Sequence, residues 1–395
     1  MARIFSRVAC LAVMGLLAAC SPLARLPAVP QADVDKATVL GIVNERFMFD
    51  QVERMEQEGR DSLDREAAYL ASIGHRGPWP PAYFLAISGG GQDGAFGAGL
   101  LVGWAEHGDR PVFKLVTGIS TGALAAPFAF VGGEYEHVLA EMYTTVDQQS
   151  IFVPRPFFAV LTDDGMADTT PLFRLISKYV DERLLERIGQ EYDKGRLLLI
   201  ATTDLDAAQP VIWNIGAIAR SGNPRALNTV RHILLASASI PGAFPPVLFN
   251  VSVAGKPYQE LHVDGGAVAQ AFLYPSTLSS RSLSPATQSH VHIAYIIRNG
   301  KLDAPWDQTE RQTLPIATRA IATLIASNGV GDLYHMYVTA HRDDVDYNVA
   351  YVENDFTDTS PDLFDRAYMN RLYAYGRAKG RAGYTWRKTP PRLAE

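Results

Sequence analysis

From Tyr83 onward the chain runs through one local order twice: a short apolar strand, a glycine-rich turn, then a helix. Tyr83 to Ile87 is the first strand, Gly89 to Gly94 the turn, and Ala95 to His107 a helix with Phe96, Leu100 and Trp104 on one face. Phe113 to Thr117 is the second strand, and Thr121 opens the second helix. Strands separated by helices pair in parallel, because the crossover returns the chain to the starting end of the sheet. The expectation is therefore an α/β fold with a mainly parallel central sheet and helices on both faces. Arg196 to Thr202, Pro210 to Asn214, Val247 to Val251 and His290 to Ile297 extend the strand pattern. The tail alternates again, with a helix from Gln312 to Ala326, a strand from Tyr347 to Val352 and a helix from Asp362 to Lys379.

Upstream the pattern differs. Arg3 and Arg7 precede an uncharged apolar stretch from Val8 to Ala19, which is short for a bilayer span and fits a signal-peptide core. It ends in Leu17-Ala18-Ala19-Cys20, which resembles a lipobox whose Cys is acylated after cleavage. Cys10 and Cys20 are the two cysteines, so residues 1–19 as signal peptide would leave Cys20 alone in the mature chain, with no disulfide. Ser21 after the Cys fits outer-membrane sorting, and the expected location is an exported, membrane-anchored lipoprotein. Residues 20–80 then read as lipidated Cys, a Pro-rich tether to Asp35, and one or two amphipathic helices over Asn44 to Ser72 with a break near Gly59. Residues 81–395 read as one catalytic domain, with its motif core at 83–275. The net charge of −6 and the lack of a Lys/Arg stripe argue against a nucleic-acid partner.

Three motifs carry chemistry. Gly118-Ile119-Ser120-Thr121-Gly122 lies between a strand and a helix, where a nucleophile elbow needs glycine flanks to avoid clashes. The helix dipole then favours negative charge beside Ser120. Pro127 lies past the first turn of that helix and is expected to kink or restart it. Gly89-Gly90-Gly91-Gln92-Asp93-Gly94 can converge backbone N–H groups on an oxyanion. It also matches a dinucleotide fingerprint, but an elbow stands where the ribose-binding acid belongs. Asp264-Gly265-Gly266 on its own reads as a turn. His262 beside Asp264 suggests a metal pair with no further ligand near it, so no metal and no cofactor are expected.

Together, in this order, the motifs resemble the patatin-like phospholipase family, with its glycine oxyanion loop, G-x-S-x-G elbow and D-G-G or D-G-A turn. Ala236 to Pro246 resembles the segment before the family's Asp, and Phe364 to Gly380 resembles its tail. The resemblance implies a three-layer patatin-like fold and a Ser–Asp dyad. It implies lipid ester hydrolysis by Ser120, with Asp264 as general base and Gly89, Gly90 and Gly91 forming the oxyanion hole, of which Gly89 shapes the turn. Gly94, Gly118, Gly122, Gly265 and Gly266 are its motif glycines. Asp93 departs from the pattern, since many members carry Arg or Lys there; it must either point away or meet a cation. Two rival readings stand beside this one. The first is an α/β-hydrolase triad drawing on His290, His292, His335 or His341, and the second is an idle lipoprotein that binds lipid.

Overall fold

The computed structural model describes residues 23–156, 163–279, 291–302, 308–360, 362–391 and 393. The expected signal peptide, Cys20 and His290 lie outside these residues. The strands, in chain order, are β1 (Arg46–Met48), β2 (Ala82–Ile87), β3 (Leu115–Gly118), β4 (Val153–Pro154), β5 (Ala167–Asp168), β6 (Leu197–Asp204), β7 (Gln209–Asn214), β8 (Val247–Val253), β9 (Lys256–Asp264), β10 (His292–Arg298) and β11 (Val345–Tyr351). Apart from the small β4–β5 pair, they form one nine-stranded sheet in the order β1-β7-β6-β3-β2-β10-β11, with the β8–β9 hairpin attached to β6. The five strands from β6 to β11 in that order are parallel, while β7 and β9 pair with β6 antiparallel. The expected mainly parallel sheet is present.

Alternation along the strands divides the core. Leu85, Ile87, Val116, Leu198 and Ile200 face helices Gly94–His107, Thr121–Val131, Ala226–Ser237 and Arg366–Arg381. Phe84, Ala86, Leu115 and Leu199 face the other way, towards helices Val52–Ser72 and Thr313–Arg342. Helices thus cover both faces, as period-two burial of a central sheet requires. Helices Gly94–His107 and Arg366–Arg381 touch backbone to backbone. A Cβ on Gly99 or Gly103 would strike the carbonyls of Tyr373 and Arg377, and one on Gly376 that of Phe96. This contact carries the C-terminal tail to the glycine loop.

Four local expectations are corrected. The tether expected up to Asp35 is bound to the domain instead: Arg25 pairs with Asp206 at 2.6 Å, the Leu26 N–H donates to Gln259 Oε1 at 2.7 Å, and Gln31–Lys36 forms a 3-10 helix. Asn44 to Ser72 is not helical throughout, because Arg46–Met48 pairs with β7 as an edge strand before the helix begins at Val52. That helix runs unbroken through Gly59, since one interior glycine costs only about 1 kcal/mol. The elbow helix Thr121–Val131 also continues through Pro127, where burial of nearly the whole helix outweighs the lost hydrogen bond.

Candidate active site

The sheet itself brings the two expected catalytic residues together. β3 pairs with the first half of β6 and ends at Gly118, opposite Ile200. β6 continues beyond that point, and β9 arrives from the opposite direction along the same edge, ending with Asp264 opposite Thr202. Two strands therefore meet head-on along one edge of β6, and their ends carry Ser120 and Asp264.

Ser120 sits at φ 57°, ψ −127°, a left-handed backbone that a non-glycine residue adopts only when its surroundings hold it there. Those surroundings are specific. A Cβ on Gly118 would lie 2.6 Å from the Gly122 carbonyl, and one on Gly122 would collide with the Ile87 carbonyl. The Ser120 N–H donates to Ser237 Oγ at 3.0 Å, and Ser237 Oγ–H donates to the Ala201 carbonyl at 2.7 Å. The Asp264 N–H donates to the Ser239 carbonyl at 2.8 Å. The C-terminal end of helix Ala226–Ser237 and the residues just after it thus grip both halves of the pair. Ser237 and Ser239 fall in the segment resembling the family, but nothing in their residue type assigns them this role.

The Asp264 carboxylate accepts the Gly266 N–H at 2.7 Å, and Ser120 lies near enough to act on its ionisation. Burial pushes its pKa up to about 7, against the lowering effects of Ser120 and of that N–H. A carboxyl poised there can take a proton near neutral pH, which one at the ordinary value of about 4 does poorly.

The glycine loop lies directly across from Ser120. A Cβ on Gly89 would sit 3.1 Å from Ser120 Cβ. The Gly89 N–H donates to the Gln270 carbonyl at 3.0 Å, so Gly89 shapes the turn and is not a free donor. Gly90 has φ 156°, and a Cβ there would collide with the Asn299 carbonyl. Among the described residues, no carbonyl accepts the N–H of Gly90 or Gly91. Two donors are therefore left for a ligand oxygen. Asn299 holds the loop in place, donating from Nδ2 to the Ser88 carbonyl at 2.8 Å and accepting the Gly97 N–H at 3.0 Å. Gln270 and Asn299 lie outside every sequence motif. Gly94 lets the following helix approach the elbow, because a Cβ there would collide with Thr121 Oγ1.

Asp93 points away from the loop. Its Oδ1 accepts the Tyr368 hydroxyl at 2.8 Å, and Lys301 and Arg298 lower its pKa in the same sense as that bond. Burial still pushes it up to about 6. Both outcomes expected for an acidic residue at this position are met: it turns outward, and cations face it.

His262 is fully buried, with Nδ1 at 2.8 Å from Thr202 Oγ1 and Nε2 at 3.2 Å from Glu260 Oε2. The expectation that no further ligand-type residue lies near it is corrected, since Asp204, Glu260 and His262 form one buried cluster. Asp264 is not part of it. Arg46 supplies the cation there, donating from Nη2 to Glu260 Oε1 at 2.8 Å. Burial raises the Glu260 carboxyl, but Arg46 and His262 outweigh it and hold it at about 2. His292 stacks on Phe84 at 5.6 Å on the far sheet face, while His335 and His341 lie on helix Thr313–Arg342. Among the described residues, none of the groups acting on Asp264 is an imidazole.

Residues 85–274 match the family model described as patatin-like phospholipase, a span that begins in β2 and contains Ser120, Asp264 and every motif glycine. This part of the chain belongs to the patatin-like phospholipase family. Lipid acyl hydrolysis is the activity typical of the family, so the chain is an enzyme at the family level. No curated protein matches the chain. Among solved structures it is similar to the crystal structure of VipD from Legionella pneumophila, at 12% identity and a TM-score of 0.36, over 78% of this chain and 67% of that one. That likeness is too distant to carry function.

The grip on the elbow gives a first prediction. Ser237→Ala leaves the buried Ser120 N–H and the Ala201 carbonyl without their shared partner. Stability is expected to fall by about 1–3 kcal/mol. Ester hydrolysis should fall by about tenfold, through a lower kcat at nearly constant KM, because the serine loses its placement and substrate binding is untouched. Denaturant melts and steady-state kinetics check both; an unchanged kcat would show that the elbow holds without Ser237.

Proposed function

We propose that the protein hydrolyses carboxylic esters of lipids, of the phospholipase, lysophospholipase or lipase type, through an acyl-enzyme on Ser120. The observation that carries this reading is the meeting of the Ser120 elbow and the buried Asp264 on one edge of β6, across from the glycine loop; burial raises the Asp264 pKa to about 7. Asp264 takes the Ser120 proton as Oγ attacks the ester carbonyl. The N–H groups of Gly90 and Gly91 stabilise the oxyanion of the tetrahedral intermediate. Collapse expels the alcohol, which receives the proton from Asp264. Water then attacks the acyl-enzyme by the same path in reverse, and no cofactor takes part in these steps. Against the triad reading stands the Asp264 carboxyl, on which, among the described residues, Ser120 and Gly266 act and no imidazole does. Against the idle reading stands Asp93, the residue that favoured it, because its side chain is turned to Tyr368.

The pH profile tests the mechanism. Asp264 must be ionised to act, so kcat/KM should drop about tenfold per pH unit below its pKa of about 7 and level off above it. A profile flat from pH 5 to 8 would falsify Asp264 as the base.

We further propose that Cys20 is acylated and anchors the domain at a membrane, most simply the outer membrane, on a short leash, since the chain is already bound to the domain at Arg25. Among the described residues no helix is long and apolar enough to cross a membrane. Cys20→Ser should move the protein into the soluble or unprocessed fraction, as membrane fractionation would show. Full retention of the variant would assign anchoring to another part of the chain.

A further inference from the structure

Helix Thr313–Arg342 has two halves of different character. From Leu333 to Ala340 it packs into the core through Leu333, Met336 and Ala340. Three apolar side chains of its first half are exposed instead. Ile316 is 52% exposed, Ile321 41% and Leu324 63%. Between Arg311 and Gly331 the charged residues are Arg311 and Arg319, both positive, in a chain whose net charge is −6. A helix with so little polar surface normally lies in a core or in lipid, and here none of its described side chains before Gly329 belongs to the core.

The position of this half is as telling as its composition. At Gly329 the helix presses on Gln270 and Arg298; a Cβ there would lie 3.1 Å from Gln270 Cγ. Gln270 in turn borders Gly89, beside Ser120. Leu324 follows within about one and a half turns of that contact, at 1.5 Å per residue. Two more exposed apolar residues lie in segments that adjoin the site. Val268, just after the Asp264 turn, is 41% exposed, and Leu363 is 63% exposed, in a segment whose Asp365 N–H donates to Gln92 of the glycine loop at 3.2 Å.

We infer that Ile316, Ile321 and Leu324 of this helix embed in the interface of a phospholipid bilayer and seat the Ser120 site over its substrate. This rests on the lipid ester reading given above. The helix lies in the plane of the interface, since it is not apolar enough to cross it. Arg311, exposed just ahead of the helix, suits lipid phosphate, and no carboxylate stands between it and Gly331. The rim of Val268 and Leu363 meets the same surface, so a lipid can leave the bilayer for the oxyanion loop without crossing water.

The test uses the full chain carrying Leu324→Cys with an environment-sensitive dye, compared with Val112→Cys. Val112 is 73% exposed and precedes β3, at the end of the sheet opposite the site. Any label on Cys10 or Cys20 is common to both proteins. Phosphatidylglycerol vesicles should blue-shift the dye at position 324 and leave that at 112 unchanged. Phosphatidylcholine vesicles should give the smaller shift. In the unlabelled chain, the double change Ile321→Asp and Leu324→Asp should lower apparent kcat/KM on vesicles by at least about tenfold, because two buried apolar contacts are lost. Hydrolysis of a soluble short-chain ester should stay the same, which also shows that the variant is folded. The inference is overturned if no vesicle shifts the dye at 324, or if the double variant loses both activities equally. It is also overturned if the shift needs only a higher protein concentration, which would make a second copy of the chain the occupant. A vesicle-dependent shift in a protein that hydrolyses neither ester would support docking while sinking the ester hydrolase reading.

Discussion

Ser120→Ala is expected to lower kcat/KM for a short-chain ester by about 10⁵-fold or more and to abolish labelling by fluorophosphonates. The effect is this large because the substitution removes the atom that forms the covalent intermediate; the oxyanion donors and the binding surface can supply only residual rate. The fold should survive. Alanine keeps the Cβ and the φ of 57°, and the backbone N–H that binds Ser237 is unchanged. Circular dichroism and thermal melts of the variant should overlay those of the parent. Retention of more than about one hundredth of the activity would remove Ser120 from the mechanism, given what loss of a nucleophile costs elsewhere.

Asp264→Asn should be nearly as inactive, with a loss of about 10⁴-fold, because an amide cannot accept the serine proton. The same variant should also be more stable. In the folded state the Asp264 pKa stands at about 7, whereas in the unfolded chain it returns to about 4. Between those values the folded protein binds more protons than the unfolded one, so stability falls as pH rises through that window and the full penalty is present above pH 7. The ionised carboxylate costs on the order of 2–4 kcal/mol there. Asparagine carries no such penalty, and its Oδ1 can still accept the Gly266 N–H. Melts at pH 8 should therefore favour the variant, with the gap closing towards pH 4. An equal or lower melting temperature at pH 8 would refute the buried-base account. Singly changed His262, His290, His292, His335 and His341 should by contrast stay within about tenfold of the parent, His262 losing most because it lies two residues from Asp264 on β9 and meets Thr202 of β6. One folded histidine variant as inactive as Ser120→Ala would restore the triad.

The parts of this architecture written in local chemistry were legible in the sequence. The β2–helix–β3–elbow order follows from apolar runs punctuated by glycines, and the motif glycines stand where a Cβ has no room, as at Gly118 and Gly122. What was not legible depends on distant pairing. Arg46–Met48 lies in a charged, helix-like stretch and becomes a strand only because β7 offers it an open edge. Ser237, Gln270 and Asn299 are ordinary polar residues whose importance comes from the backbone groups they meet. The same holds for Asp93. Its sequence position suggested conflict with the oxyanion, and only the packing of the tail helix shows Tyr368 drawing it aside. The length of helix Thr313–Arg342 was likewise hidden, because Asn328, Gly329 and Gly331 read as a stop, whereas Leu333 and Met336 anchor the helix beyond them.

The head-on meeting of β3 and β9 on one edge of β6 makes the enzyme a reporter of its own assembly. Asp264 reaches Ser120 only because β9 is fixed against β6 by three residue pairs, from Thr202 with Asp264 to Asp204 with His262. A slip of one position would bring Val263 to the serine and turn the carboxylate to the other side of the sheet. Such a chain could be compact, helical and soluble, and it would be silent. The fraction of molecules that react with a serine probe therefore counts those in which the hairpin from Val247 to Asp264 has found its correct alignment, a quantity that spectroscopic measures of folding do not distinguish.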